Sequence, residues 1–364
     1  MNRKNIRLFI IIPFIFLFSL IFSINISATE IEEYINFENV YDSLDDETKE
    51  YLEESNITNE TALSPDYNEI FETFKNIFSD YFPDVFKNFI YTFILCIIAS
   101  VFNSFDYASE ANELVFSVAG ALMLYPPIIN VSEALKNACF NVSVFVKASI
   151  PVYAGILTFS GKAVTGSTYS ALTLFSAEAA DFIVTSFALP LIPLMLSFCL
   201  ASLFTGKAFD KINDKIFKAI KWTLVLTVTI FSTVTSLQTA VTSSGDALAI
   251  KGTRLMVSTA VPIVGSALGD ALTALQGSLA IIRSGAGAFG ILAVVFIFAP
   301  VIVSIILNII SLWGLSIICE LFEMNKLSTL INGCLQLYKL MIASLFTMLT
   351  VGIISAAILI TVIR

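Results

Sequence analysis

From about Phe86 onward, long apolar stretches alternate with short polar ones. Residues 88–105, 114–131, 140–160, 182–205, 222–241, 286–312 and 336–362 are each apolar enough and long enough to cross a hydrocarbon core as helices. Two further stretches, 163–180 and 255–281, carry more Ala, Gly, Ser and Thr and an acid or two. Ahead of this body the pattern changes. Tyr67, Ile70, Phe71, Phe74, Ile77, Phe78, Tyr81 and Phe82 recur at helical spacing, with Glu69, Glu72, Asn76 and Asp80 opposite. Pro65 stands just before this predicted helix, and Ser64 or Asp66 can cap it. A second helix is predicted over Tyr34–Leu52. At the start, Arg3, Lys4 and Arg7 precede an apolar run from Leu8 to Phe22, and Ile26-Ser27-Ala28 offers a cleavage site. Residues 1–28 therefore read as a signal peptide, with an uncleaved anchor as the alternative.

Charge divides the chain along the same lines. Residues 29–85 hold 17 Asp or Glu against two Lys, whereas residues 86–364 hold 12 acids against 15 bases. The chain reads as a signal peptide over 1–28, an acidic extracytoplasmic segment over 29–85 and a polytopic membrane domain over 86–364. Counting the weak stretches as crossings gives nine spans and places Lys162, the Lys207–Lys221 cluster, Arg283 and Arg364 together on the cytoplasmic side. Lys251 and Arg254 then fall on an outer loop. The expected fold is all-α: a transmembrane helical bundle of about seven to nine spans with a short acidic helical segment outside it.

Composition supports the bilayer as solvent. Of 364 residues, 57% are hydrophobic and 13% charged, and mean hydropathy is +0.85. Soluble domains carry nearer 25% charged residues. The chain has no histidine, which removes the commonest general base and metal ligand. Its five cysteines, Cys96, Cys139, Cys199, Cys319 and Cys334, include no CxxC pair, and most stand in apolar runs as small hydrophobes. No enzyme chemistry, cofactor, metal site or nucleic-acid footprint is expected.

A few charges fall within apolar segments, where they are costly. They are Lys147, Glu178, Asp181, Asp270 and Lys339. Glu178 and Asp181 are three apart and share a helix face. Such acids either serve a cation or proton path, or sit near span ends, or pair with Lys147 inside the bundle. Over 262–290, Pro262 interrupts a helical pattern, and Gly265 and Gly269 form a GxxxG motif. That stretch is either a close helix-packing motif or a re-entrant segment lining a pore. Lys207, Lys211, Lys215 and Lys218 flank Phe209, Ile212, Ile216, Phe217 and Ile220, which predicts a short amphipathic helix anchored at anionic headgroups. The stripe over 67–82 must also be covered, by the chain itself or by a docked partner protein.

Several blocks together resemble the stage III sporulation protein AE family. They are Gly245-Asp246, Ile250-Lys251-Gly252-Thr253, Val261-Pro262-Ile263-Val264-Gly265, Ala271, Ser278, Gly287, Gly290 and Ala299-Pro300. Ala148-Ser149-Ile150-Pro151, Gly161-Lys162-Ala163-Val164 and the run to Phe175 add to the resemblance. It is most specific over 245–300 and weakest over 29–85. It rests on glycine and proline patterns, not on catalytic signatures. The resemblance implies a role in endospore formation, in a channel or secretion-like complex made in the mother cell at the membrane around the forespore. It implies other stage III sporulation membrane proteins as partners, besides the lipid bilayer, and allows a homo-oligomer. No enzymatic activity goes with it. The competing reading is a permease for an ion or small solute that uses the intramembrane acids.

Overall fold

The computed structural model describes residues 38–103, 109–205, 207–260 and 265–361, with the side chains of 248–283 outside the description. Among these residues every regular element is helical: α1 (Glu38–Asp42), α2 (Asp46–Glu54), α3 (Tyr67–Asn103), α4 (Ser109–Phe159), α5 (Ala163–Asp181), a π-helical segment (Phe182–Ala188), α6 (Leu191–Thr205), α7 (Lys207–Ala260), α8 (Gly265–Leu321) and α9 (Asn325–Thr361). Among the described residues six runs are long and apolar enough to cross a membrane: Tyr67–Phe102, Ala111–Thr158, Ala163–Phe204, Lys211–Gln238, Ser284–Leu321 and Asn325–Ile360. The fold is an all-α helical membrane bundle. The signal-peptide reading of 1–28 lies outside the described residues.

Six runs are fewer than the pattern predicts, because neighbouring stretches merge. The stretches 114–131 and 140–160 both lie in α4, a single helix of 51 residues. The polar residues between them, Glu133, Lys136 and Asn137, are exposed, while Leu135, Ala138 and Cys139 of the same turns are buried. No Gly or Pro interrupts residues 128–150, so nothing stops the helix there. Likewise 163–180 and 182–205 form one run joined by the π-helical segment. The weak stretch 255–281 straddles the end of α7 and the start of α8.

Side-chain contacts fix the direction of each helix. Phe74 meets Phe296, and the Cys96 and Cys319 sulfurs touch, so α3 and α8 run parallel. Helix α4 starts beside α9, where the Lys326 N–H donates to Glu113 Oε1, and finishes beside the start of the buried part of α8, where Tyr153 Oη donates to the Ala286 carbonyl. The Asn213 side chain reaches back to the Met195 carbonyl, making α6 and α7 an antiparallel pair. Two ends result. One carries residues 38–66, the α4–α5 turn and Asp246; the other carries the α6–α7 junction and the α8–α9 turn. The turn at Lys162 therefore lies at the end opposite to Lys207–Lys221, not beside it as the nine-span arrangement requires.

Helix α8 is the axis of the core. Every residue from Ser284 to Val301 is buried, and the segment is apolar all round, as a central helix must be. The predicted helix over 34–52 is broken in two. Asp45 caps α2 by accepting from the Thr48 N–H and hydroxyl, which stops α1 short. Asp66 caps α3 through the Asn68 N–H, at a position the sequence offers for that role.

The acidic segment packs on the bundle. Val40, Leu44, Leu52, Ile57, Ala62 and Leu63 join the main hydrophobic cluster, and Tyr51 meets Phe296. The stripe on α3 splits. Ile70, Phe74, Ile77 and Tyr81 face inward, while Phe71, Phe78 and Phe82 remain exposed. The outward rings Phe78, Phe82 and Phe86 stack in a ladder that continues to the half-buried Phe89 and Phe93.

Candidate functional site

Several segments that the sequence singles out meet at the end of the bundle that carries the acidic segment. Helix α4 stops there because Gly161 takes a positive φ of 79°. The Lys162 N–H then bonds the Leu157 carbonyl and the Gly161 N–H bonds that of Thr158, which satisfies the last carbonyls of α4. The chain turns at once into α5, whose first N–H groups need acceptors. Asp246, on the distant helix α7, supplies them. Its carboxylate accepts from the Val164 N–H at 3.0 Å and the Thr165 N–H at 3.2 Å, and also from the Thr165 hydroxyl. Asp246 is 1% exposed, so its charge is held by these donors and by the positive end of α5. A side chain on the preceding Gly245 would meet Val164. Thus Gly161-Lys162-Ala163-Val164 and Gly245-Asp246, far apart in sequence, form one clamp.

The same end is closed by the glycines of α8. A Cβ at Gly290 would stand 2.5 Å from Tyr153 Oη, and one at Gly285 would stand 2.7 Å from the Asn59 carbonyl oxygen. Glycine at these positions lets Tyr153 reach the Ala286 carbonyl and lets the acidic segment seat on α8. In that segment, burial and the hydrogen bond to Glu53 push the Tyr41 hydroxyl up to about 12. Burial and the bond to Glu47 raise Tyr51 as well.

The charged residues of α4 and α5 form a second cluster. Lys147 Nζ stands 2.7 Å from Glu178 Oε1, with the side chains 39% and 55% exposed. Asp181 follows one turn on, half-buried, and its carbonyl accepts from the Thr185 hydroxyl. The π-helical segment begins directly after it, and Pro190, which lacks an N–H, follows its end. The pair can neutralise its own charges, which lowers the cost of placing them in an apolar run.

The other sequence-predicted residues do not join these clusters. Asp270, Gly265 and Gly269 lie in the first turns of α8, with side chains outside the described residues, as is all of Pro262. Lys207 opens α7, and Lys211, Lys215 and Lys218 are exposed along it. This stretch is no separate short helix. It runs without a break into the apolar part of α7, and Asn213 and Ile220 are its buried positions, while Ile212 points outward. Lys339 is exposed on α9. Among the described residues no group of three or more His, Cys, Asp or Glu is arranged to hold a metal ion.

Residue reasoning alone gave Asp246 and Glu113 no role. Both are carboxylates that cap another helix, Asp246 on α5 and Glu113 on α9. The available signal was Asp246 itself, a lone acid inside an otherwise uncharged stretch, which needs a partner wherever it is buried.

Comparison with known proteins agrees with these blocks. The sequence profile of "Stage III sporulation protein AE (spore_III_AE)" matches residues 47–362. It thus takes in α2 and most of the acidic segment, where residue patterns offered the weakest resemblance. A curated relative, "Stage III sporulation protein AE" of Bacillus subtilis (strain 168), is 21% identical over 238 residues. That alignment covers 63% of this chain and 60% of the relative. No solved structure is similar to the chain. With the profile spanning most of the docked acidic segment, the clamp and the whole bundle, the chain belongs to the stage III sporulation protein AE family.

Proposed function

We propose that this protein is an integral membrane subunit, structural or pore-forming, of the mother cell–forespore channel or secretion-like complex required for endospore development. The observation that carries this reading is the family match over 47–362. It coincides with a bundle whose buried polar contacts are spent on holding helices together. The protein would sit in the mother-cell membrane facing the forespore, its acidic segment between the two membranes. Other stage III sporulation membrane proteins would be its partners.

The test is genetic replacement in a spore-former, with spore yield and crosslinking to the other stage III membrane proteins as readouts. The chain should restore spores to a strain lacking its own family member and crosslink to those partners during engulfment. Normal sporulation in a strain without any family member, or a chain that never meets those partners, contradicts the proposal. The permease reading is supported by the charged cluster at Lys147, Glu178 and Asp181. It predicts that Glu178→Gln, Asp181→Asn or Asp270→Asn abolishes spore formation. The subunit reading predicts near-normal yields from all of them, because no transport step depends on these carboxylates and the Lys147–Glu178 pair is exposed enough to be weak.

A further inference from the structure

Cys96 and Cys319 are 223 positions apart in the sequence, yet their sulfurs stand 3.6 Å apart where α3 crosses α8. Neither has any exposed surface, but Cys319 lines a cavity of about 280 Å³ beside the α8–α9 turn. Glu320, Glu323, Met324, Asn325 and Ser328 complete its wall. The space exceeds the roughly 30 Å³ share of one water in the liquid several times over, and a polar wall suits small polar molecules. The remaining thiols are placed differently. Cys139 and Cys334 are buried in helix packing, and Cys199 accepts a hydrogen bond from the Asn213 amide.

We propose that Cys96 and Cys319 are an oxidation site, which a peroxide closes into an intramolecular disulfide tying α3 to α8. One of the two thiols gives up its proton and attacks one peroxide oxygen. The O–O bond breaks, the sulfur becomes a sulfenic acid and the first water leaves. The other sulfur then displaces the hydroxyl from the sulfenic sulfur, and the second water carries away the remaining proton. Two thiols have lost two electrons and two protons, and hydrogen peroxide has been reduced to two waters. A disulfide bond of about 2.05 Å requires the sulfurs to close by roughly 1.5 Å. The link would couple the helix that descends from the acidic segment to the central helix of the core.

The experiment uses the full chain in lipid nanodiscs. It is treated with hydrogen peroxide, quenched, denatured, and its free thiols are counted with a mass-tagged maleimide. Two of the five thiols should disappear and return with dithiothreitol, and peptide mapping should find Cys96 joined to Cys319. Neither Cys96→Ser nor Cys319→Ser should form an intramolecular disulfide under the same treatment. The wild-type peptide map decides the matter even where a variant folds poorly. Five thiols left reactive, a loss that dithiothreitol does not reverse, or a link involving other cysteines or two chains would overturn the proposal.

Discussion

Truncating Asp246 would leave the first amides of α5 buried without an acceptor at the end of a tight turn. An unsatisfied buried donor costs about 1–3 kcal/mol, and more where the lost acceptor was charged. Asp246→Ala should therefore lower the unfolding midpoint clearly in detergent, and Asp246→Asn, which keeps one acceptor oxygen, should lower it less. Equal loss in both, or none, would show that the carboxylate is not the cap. The Lys147–Glu178 pair is a different case. Both side chains are more than a third exposed, so solvent weakens the attraction, and a double-mutant cycle should give about 0–1 kcal/mol. Tyr41 supplies a pH test. Its hydroxyl is raised to about 12, against about 10 in an unfolded chain, so the folded state holds the proton more tightly. Stability from this group is intact below about pH 10 and is lost as pH rises toward 12. The acidic segment should therefore loosen in that window. Tyr41→Phe should remove part of that loss, as read by limited proteolysis against pH.

Helix α3 is amphipathic above Lys87 and apolar on its exposed side below it, where Ile90, Ile94, Ile97, Ile98 and Val101 face outward. One unbroken helix therefore joins the acidic segment to the membrane body, and the periodicity of its upper half was legible in the sequence. What periodicity could not supply was which ring faces where, because a broad aromatic stripe fits several rotations. Helix lengths were the harder problem. A helix of 51 residues, as in α4, is about 77 Å long, more than twice a hydrocarbon core of about 30 Å. Hydropathy counted α4 as two spans because Glu133, Lys136 and Asn137 look like a connection. All three are compatible with helix, and only packing decides. Seating of the acidic segment depends on Gly285. A Gly285→Leu change would drive a side chain into the Asn59 carbonyl and should release residues 38–66 to protease while the bundle persists. Unchanged protection of those residues would mean that the segment is held elsewhere.

On the scale of the molecule, the all-α class and the bilayer as solvent follow from residue types alone, and both agree with the structure. The arrangement of ends does not follow from them. It depends on contacts between positions that no local pattern links: Glu113 with Lys326, Tyr153 with Ala286, and Asp246 with Thr165. Those contacts make the long runs cross in strict alternation. Residues 38–66, the α4–α5 turn and the end of α7 share one end of the bundle. The Lys-rich start of α7 and the α8–α9 turn share the other, which the sequence reading of Lys207–Lys221 expects to be cytoplasmic. The bundle can satisfy lengths beyond the bilayer by tilting or by standing proud of it.

The most direct measurement is the accessibility of single reporter cysteines to a membrane-impermeant maleimide in intact non-sporulating cells that express the chain, before and after permeabilisation. Cysteines placed at Glu54, Ala163 and Ala247 should react from outside without permeabilisation, and those at Lys215 and Glu323 only after it. A reporter at Ala163 that reacts together with Lys215, or one at Glu323 that reacts together with Glu54, would contradict the alternation and with it this account of the bundle.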